Sequence, residues 1–176
     1  MLFSDPTIPS VNQSFNQNAG AAHSQGLELE LTWMPVDSLN VRLAADFNEA
    51  ETDKDNLANN VPEGNSLIYA PEWSASLSVD YVFNIGSLQA RLRADHQRVD
   101  EQFGDPQNTL KIDEYDVTNL RLTLADPADN RWSASLFANN VTGEDAVVSL
   151  FTLVGTTSNV YLQPRVVGLE FTWQAR

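Results

Sequence analysis

The 176-residue sequence contains no cysteine, only two histidines, and only 10 basic residues against 24 acidic ones. Without cysteine there is no disulfide framework and no thiolate metal site, and the redox compartment stays open. A formal net charge of −14 and a pI near 4.2 argue against a nucleic-acid partner, because a phosphate backbone is held by a basic surface. No stretch approaches the ~18 consecutive apolar residues of a spanning helix, which excludes a helical membrane protein. A membrane β-barrel is not excluded: its strands turn half their residues to a polar interior, and a mean hydropathy of −0.29 is compatible with that. Residues 1–14 have neither a basic start nor an apolar segment, so no signal peptide is read there, and an exported chain is expected to be part of something longer.

Motifs for chemistry are as scarce. There is no Gly-x-Ser-x-Gly, phosphate loop or paired-carboxylate pattern. Ser, His96 and Asn are all present, but such residues are common on polar strand faces and mark no nucleophilic triad. His23 and His96 stand in no ligand spacing. Asp53, Asp55 and Asn56 loosely resemble a calcium loop, but Lys54 interrupts them and the twelfth-position carboxylate is missing, so a solvated loop is expected. No enzyme, no cofactor and no metal is read from the sequence.

What the sequence has in abundance is alternation with a period of two, the mark of a half-buried strand. In the stretch 131–145, Trp132, Ala134, Leu136 and Ala138 alternate with Ser133 and Ser135 until Asn139-Asn140 ends the run. The same design recurs. Leu27, Leu29, Leu31 and Trp33 oppose Glu28 and Glu30, and Leu39, Val41, Leu43, Ala45 and Phe47 oppose Arg42 and Asp46. A run over 67–84 sets Trp73, Ala75, Leu77, Val79, Tyr81 and Phe83 against Ser74, Ser76, Ser78 and Asp80. Leu88, Ala90, Leu92 and Ala94 then oppose Arg91, Arg93 and Asp95, and the last strand sets Val167, Leu169, Phe171 and Trp173 against Gly168, Glu170 and Thr172. Between Val117 and Leu120 the apolar parity slips, which predicts a β-bulge near Thr118-Asn119. Residues 1–20 read as a loop or partial strand. The expected fold is all-β, an antiparallel up-and-down meander of about seven strands.

Connections alternate between short turns near Val36, Ile85 and 126–130 and long polar segments over 51–66, 100–112 and 142–159. Aromatic residues sort by strand end: Trp33, Tyr81, Phe83, Trp132 and Trp173 near the short turns, Phe47, Trp73 and Tyr161 near the long loops. From Trp73 to Phe83 is ~33 Å along a strand, which a tilt of 40–45° reduces to about 25 Å, the height of a barrel's apolar band between two aromatic girdles. The pattern favours a segment of a transmembrane β-barrel. The alternative is a small soluble β-sandwich or adhesin-like binding module, and a complete small outer-membrane barrel or enzyme is a further one.

Four pieces in order carry a family resemblance: Asn18-Ala19-Gly20 with Gly26-Leu27-Glu28-Leu29-Glu30; Ala70-Pro71-Glu72-Trp73-Ser74; Leu136-Phe137-Ala138-Asn139-Asn140-Val141-Thr142; and Pro164-Arg165 before Gly168-Leu169-Glu170-Phe171. Together they resemble the C-terminal part of a TonB-dependent outer-membrane receptor. The resemblance implies that 21–176 is the end of a barrel of roughly 22 strands, without the plug and the earlier strands. It implies a place in the Gram-negative outer membrane among lipid and lipopolysaccharide, energy-dependent uptake of a scarce nutrient such as a siderophore, vitamin or saccharide, and plug and TonB as partners of the full-length relative. The stretch by itself is expected neither to transport nor to engage TonB. Gly168, Phe171 and Trp173 match the spacing of the signal read by the barrel-assembly machinery, with Ala175 where the family commonly closes on Phe.

In such a barrel Glu28, Glu30, Arg42, Asp46, Asp80, Arg91, Arg93, Asp95, Arg121 and Glu170 would face the lumen. There they either pair across strands or dock the plug, and the sequence leaves both open. The acidic loop residues Glu49, Glu51, Asp53, Asp55, Glu63, Asp100, Glu101, Asp105, Glu144 and Asp145 fit ligand capture, divalent ions between lipopolysaccharide headgroups, or plain solvation.

Overall fold

A computed structural model describes residues 2–4, 12–14, 20–55, 60–128, 131–153 and 156–175. Of the residues singled out above, Asn18, Ala19, Asn56, Asp129 and Asn130 lie outside the described residues. The described residues form strands and turns with no helix: β1 (Leu2–Ser4), β2 (Asn12–Ser14), β3 (Ala22–Val36), β4 (Leu39–Thr52), β5 (Trp73–Ile85), β6 (Leu88–Val99), β7 (Gln102–Phe103), β8 (Lys111–Ile112), β9 (Tyr115–Ala125), β10 (Trp132–Asn139), β11 (Val147–Leu153), β12 (Thr156–Tyr161) and β13 (Val166–Trp173). β3, β4, β5, β6, β9, β10 and β13 pair in that order into one seven-stranded antiparallel meander, and the other six make three separate two-stranded hairpins.

Register decides which side chains share a face, since a one-residue slip would exchange the two faces. Here it brings every alternating apolar set to the same side. Leu39, Tyr81, Leu92, Leu122, Leu136 and Leu169 are successive partners across six strands. The adjacent row is Asn40, Asp80, Arg93, Arg121, Phe137 and Gly168, on the opposite face.

That apolar face is not covered. Among the described residues the buried apolar side chains are Ala50, Val61, Ala90, Val99 and Ile112, whereas Leu169 is 83 % exposed and Phe171 67 %. A sandwich would bury such a face against a second sheet at ~10 Å. This sheet has one layer, and the soluble-sandwich reading falls. What core exists sits elsewhere, at the end where the long loops leave: of the five buried apolar residues only Ala90 lies away from that end.

Three expectations need correction. The bulge near Thr118-Asn119 does not exist: β9 runs against β6 without a break from Tyr115↔Val99 to Ala125↔Gln89. The parity slip has another cause. Tyr115 and Val117 lie on the polar face, opposite Val99 and Gln97, at the loop end where that face becomes apolar. Register shifts occur instead between Trp33 and Val36, around Pro35, which has no donor for the ladder, and between Val147 and Ser149. The run over 67–84 begins as a strand only at Trp73, because the backbone of 67–69 bonds elsewhere: Leu67 N–H to Ala50 and Tyr69 N–H to Phe103, 2.9 Å each. Finally, the segments 100–112 and 142–159, read as loops, hold the hairpin β7–β8 and most of the hairpin β11–β12, while residues 1–20, read as a loop or partial strand, include the two short strands β1 and β2.

The short turn between β5 and β6 closes as expected. Only Gly86 and Ser87 separate β5 from β6, with Gly86 at φ 61°, a conformation glycine adopts without steric penalty. Asn140, at φ 50° and 2 % exposed, ends β10.

Candidate functional site

The polar face carries a charged network built by strand pairing. Asp80 and Arg91 lie on adjacent strands, and the Arg91 Nε donates to Asp80 Oδ1 at 2.7 Å. Arg93 donates through Nε and Nη2 to Asp95 at 2.8 and 2.9 Å, and its Nη1 stands 3.9 Å from Asp80. The Ser78 hydroxyl donates to Asp95 at 2.6 Å and that of Ser74 to Asp46 at 2.5 Å. Arg93 and Arg121 are direct cross-strand partners, a repulsive arrangement by itself. Each is turned to a different acid: Arg121 donates to Glu170 at 2.6 Å, two strands away. Of the ten charges read as lumen-facing, these bonds bring together Asp80, Arg91, Arg93, Asp95, Arg121 and Glu170. Glu28, Glu30 and Arg42 share the polar face but form no ion pair among the described residues, and Asp46 has only Ser74.

Arg121 spans to Glu170 across Phe137, whose ring centroid is 5.8 Å from its guanidinium carbon. Phe137 interrupts the serines of its strand's polar face and lies opposite Gly168. The signal was present in the sequence, an aromatic residue at a polar parity, but its meaning depends on the glycine of another strand.

The aromatic residues read as girdles all lie on strands. Trp33, Phe47, Trp73, Tyr81, Phe83, Trp132 and Trp173 share the apolar face of the main sheet, and Tyr81 and Phe83 stack at 5.3 Å. Tyr161 lies apart, on β12 of a loop hairpin. The apolar face ends at a readable line toward the long loops. Beyond Leu27 and Phe47 come Gln25 and Glu49, joined at 2.7 Å, and then His23 with its Nδ1 2.6 Å from Asp53. Beyond Ala94 and Leu120 come His96 and Thr118, 2.9 Å apart, and Arg98, which pairs with Glu114 at 2.7 Å and lies over Trp73.

At the loop end the long connections pack on one another. The Asn108 side chain accepts from Ser66 N–H at 2.8 Å and donates to Ser66 O at 3.0 Å, acting as an extra bridge between two loops. Asn65 Nδ2 donates to Pro106 O at 2.9 Å. The Asp105 carboxylate is taken up by the N–H groups of Thr109 and Leu110 at 2.9 and 2.6 Å. Asn140 holds the third loop with Nδ2 donating to Glu144 O and Gln163 O, and Oδ1 accepting from Glu144 N–H, all within 3.0 Å. Between these loops and the ends of β3 and β4 lies a chamber of about 760 Å³, mostly apolar, lined by Val61, Leu67, Ile68, Leu110, Thr152 and others. The sequence offered no sign of Tyr69, Asn108 or the chamber. No cluster of three or more metal-ligating side chains occurs among the described residues.

A family model described as TonB dependent receptor-like, beta-barrel, matches residues 1–141. No curated protein matches the chain. Among solved structures, the ferric yersiniabactin uptake receptor FyuA from Yersinia pestis superposes with TM-score 0.74 at 20% identity, over 89% of this chain and 24% of that one. The siderophore receptor PiuA from Acinetobacter baumannii gives 0.73 at 17%, over 86% and 22%. BauA, the ferric preacinetobactin receptor of the same organism, gives 0.71 at 14%, over 98% and 25%. At these identities the likeness is one of fold, and the chain spans about a quarter of each relative's length. With a one-layer meander, two unlike faces and a family model covering most of its length, the chain belongs to the TonB-dependent receptor-like β-barrel family.

Proposed function

We propose that this chain forms part of the wall and outer loops of an outer-membrane receptor that imports a scarce nutrient, a siderophore-type iron chelate, with energy delivered through TonB. The observation that carries the reading is the pair of adjacent rows: Leu39 to Leu169 on one face with no second layer over it, Asn40 to Gly168 on the other. Lipid tails are the partner that suits an uncovered face of Leu, Val and Trp, and an aqueous interior suits the charged one. The ligand class is supported by the descriptions of the structural relatives, which name siderophores and ferric chelates.

Within this reading the aromatic side chains of the apolar face form interfacial girdles, and the polar loop ends beyond Gln25 and Glu49 reach the lipopolysaccharide headgroups. The network of Asp80, Arg91, Arg93, Asp95, Arg121 and Glu170 stiffens the wall. Glu28, Glu30, Arg42 and Asp46, on the same face and without an ion pair among the described residues, are the groups that meet the plug. Gly168, Phe171 and Trp173 on the edge strand β13 serve recognition by the barrel-assembly machinery. The role is binding and passage, with no catalytic step.

The test is production of the receptor in an iron-starved Gram-negative host lacking its own siderophore receptors. Support is a heat-modifiable band in the outer-membrane fraction and ferric-chelate uptake that disappears when TonB is deleted. A chain recovered in the soluble fraction as a monodisperse monomer would overturn the membrane reading. A correctly inserted barrel that imports no iron chelate would overturn the ligand class alone.

A further inference from the structure

Three long connections leave the same end of the sheet, at 53–72, 100–114 and 140–165, and one residue bonds to both of its neighbours. The Tyr69 N–H donates to Phe103 O at 2.9 Å, in the second connection. Its hydroxyl donates to Leu150 O at 2.5 Å, accepts from Leu150 N–H at 3.2 Å and lies 3.3 Å from Ser149 Oγ, all in the third. Tyr69 holds these bonds from φ 55°, a region bulky residues seldom occupy, so the surrounding contacts fix its backbone there. Next to Phe103, Gly104 leaves room for Leu150: a Cβ at 104 would stand 2.8 Å from Leu150 Cδ1.

Tyr69 directly follows Leu67 and Ile68, which line the apolar chamber together with residues of the other two connections. Leu67 and Ile68 come from the first connection, Gly104 and Leu110 from the second, and Thr152 from β11. The first two connections are also joined by Asn108 and Asn65. Between the first connection and the β11–β12 hairpin, the Tyr69 hydroxyl supplies the side-chain hydrogen bonds found among the described residues. We propose that Tyr69 is the positioning residue of this chamber, fastening the β11–β12 hairpin to the other two connections so that all three move as one body and the chamber keeps one width. The inference rests on the geometry of the loops and is independent of which nutrient is carried.

The test uses the receptor in lipid nanodiscs with spin labels introduced in pairs at Glu63 and Ser158, and at Glu63 and Asp113. In wild type both distance distributions are narrow. In Tyr69→Phe, which keeps the ring and the N–H bond to Phe103, the 63–158 distribution broadens, the 63–113 distribution stays narrow, and exchange of the Leu150 amide accelerates roughly tenfold, as for loss of about one hydrogen bond. The heat-modifiable band verifies that the barrel itself is intact. An unchanged 63–158 distribution would overturn the proposal. Equal broadening of both pairs would also overturn it, since Tyr69 would then only stabilise the loops in general.

Discussion

The ring of Phe137 lies against Gly168 on the neighbouring strand, so closely that a Cβ at 168 would stand 2.5 Å from its Cζ. The glycine belongs to the motif read as an assembly signal, yet the fold supplies a packing reason for it: Phe137 covers the bare backbone and carries Arg121 on its other side. Gly168→Ala should therefore destabilise the barrel by about 1–3 kcal/mol through overpacking. Adding Phe137→Leu should recover much of the loss. Urea unfolding followed by the heat-modifiable mobility shift reads both, and a G168A variant as stable as wild type would contradict the contact.

Asn140 is buried and spends its amide on the turn 140–144 and on Gln163. Asn140→Ala leaves the Glu144 N–H and two carbonyls without these partners and places alanine at positive φ, for an expected loss of about 2–4 kcal/mol. Asn140→Gly removes the same bonds but accepts the backbone, and should recover about 1 kcal/mol. Limited proteolysis of the 140–165 segment should rank nicking as Ala, then Gly, then wild type.

Leu77 and Ser76 are neighbours on β5 that point to opposite faces. An arginine at 77, near the middle of the apolar stretch from Trp73 to Phe83, should destabilise by about 2–4 kcal/mol in a bilayer, whereas an arginine at 76 enters an aqueous lumen at little penalty. The difference between the two variants in lipid vesicles measures which face meets lipid. Equal effects would contradict the assignment of faces.

His23 lies beyond the apolar band, and the hydrogen bond its ring N–H donates to the Asp53 carboxylate, aided by the charges of Asp53, Glu49 and Glu51, raises its pKa above the ordinary 6.5. A raised pKa means that the folded state favours the protonated ring. The tether between β3 and the connection that follows β4 is then fully present below pH ~6.5 and is lost as pH rises through the folded-state value. A proton or carbon-shift titration of His23 should show a midpoint above 6.5 that Asp53→Asn lowers. A midpoint insensitive to that substitution would separate the two residues.

The seven sheet strands were legible because a period of two is local: Trp132, Ala134, Leu136 and Ala138 announce a face without reference to any other strand. The sign of the connections, short and long by turns, was equally legible from Pro35, Gly86 and the polar segments. Phe137 shows where local reading stops. On its own strand it is an aromatic residue at the wrong parity, and only pairing with β13 makes it the lid of Gly168. Tyr115 and Val117 misled in the same way: a change of environment along one face looked like a change of face.

By itself the amino-acid sequence determined the all-β class, the two unlike faces and the ends of most strands, since each depends on side chains a few residues apart. Tertiary structure alone decided that the apolar face has no second layer, that six of the ten charges pair with one another, and that Tyr69 and Asn108 knit the long connections together while Asn140 closes the third. Most of those relations join residues that strand register and loop packing bring together from separate elements, and no local period encodes them.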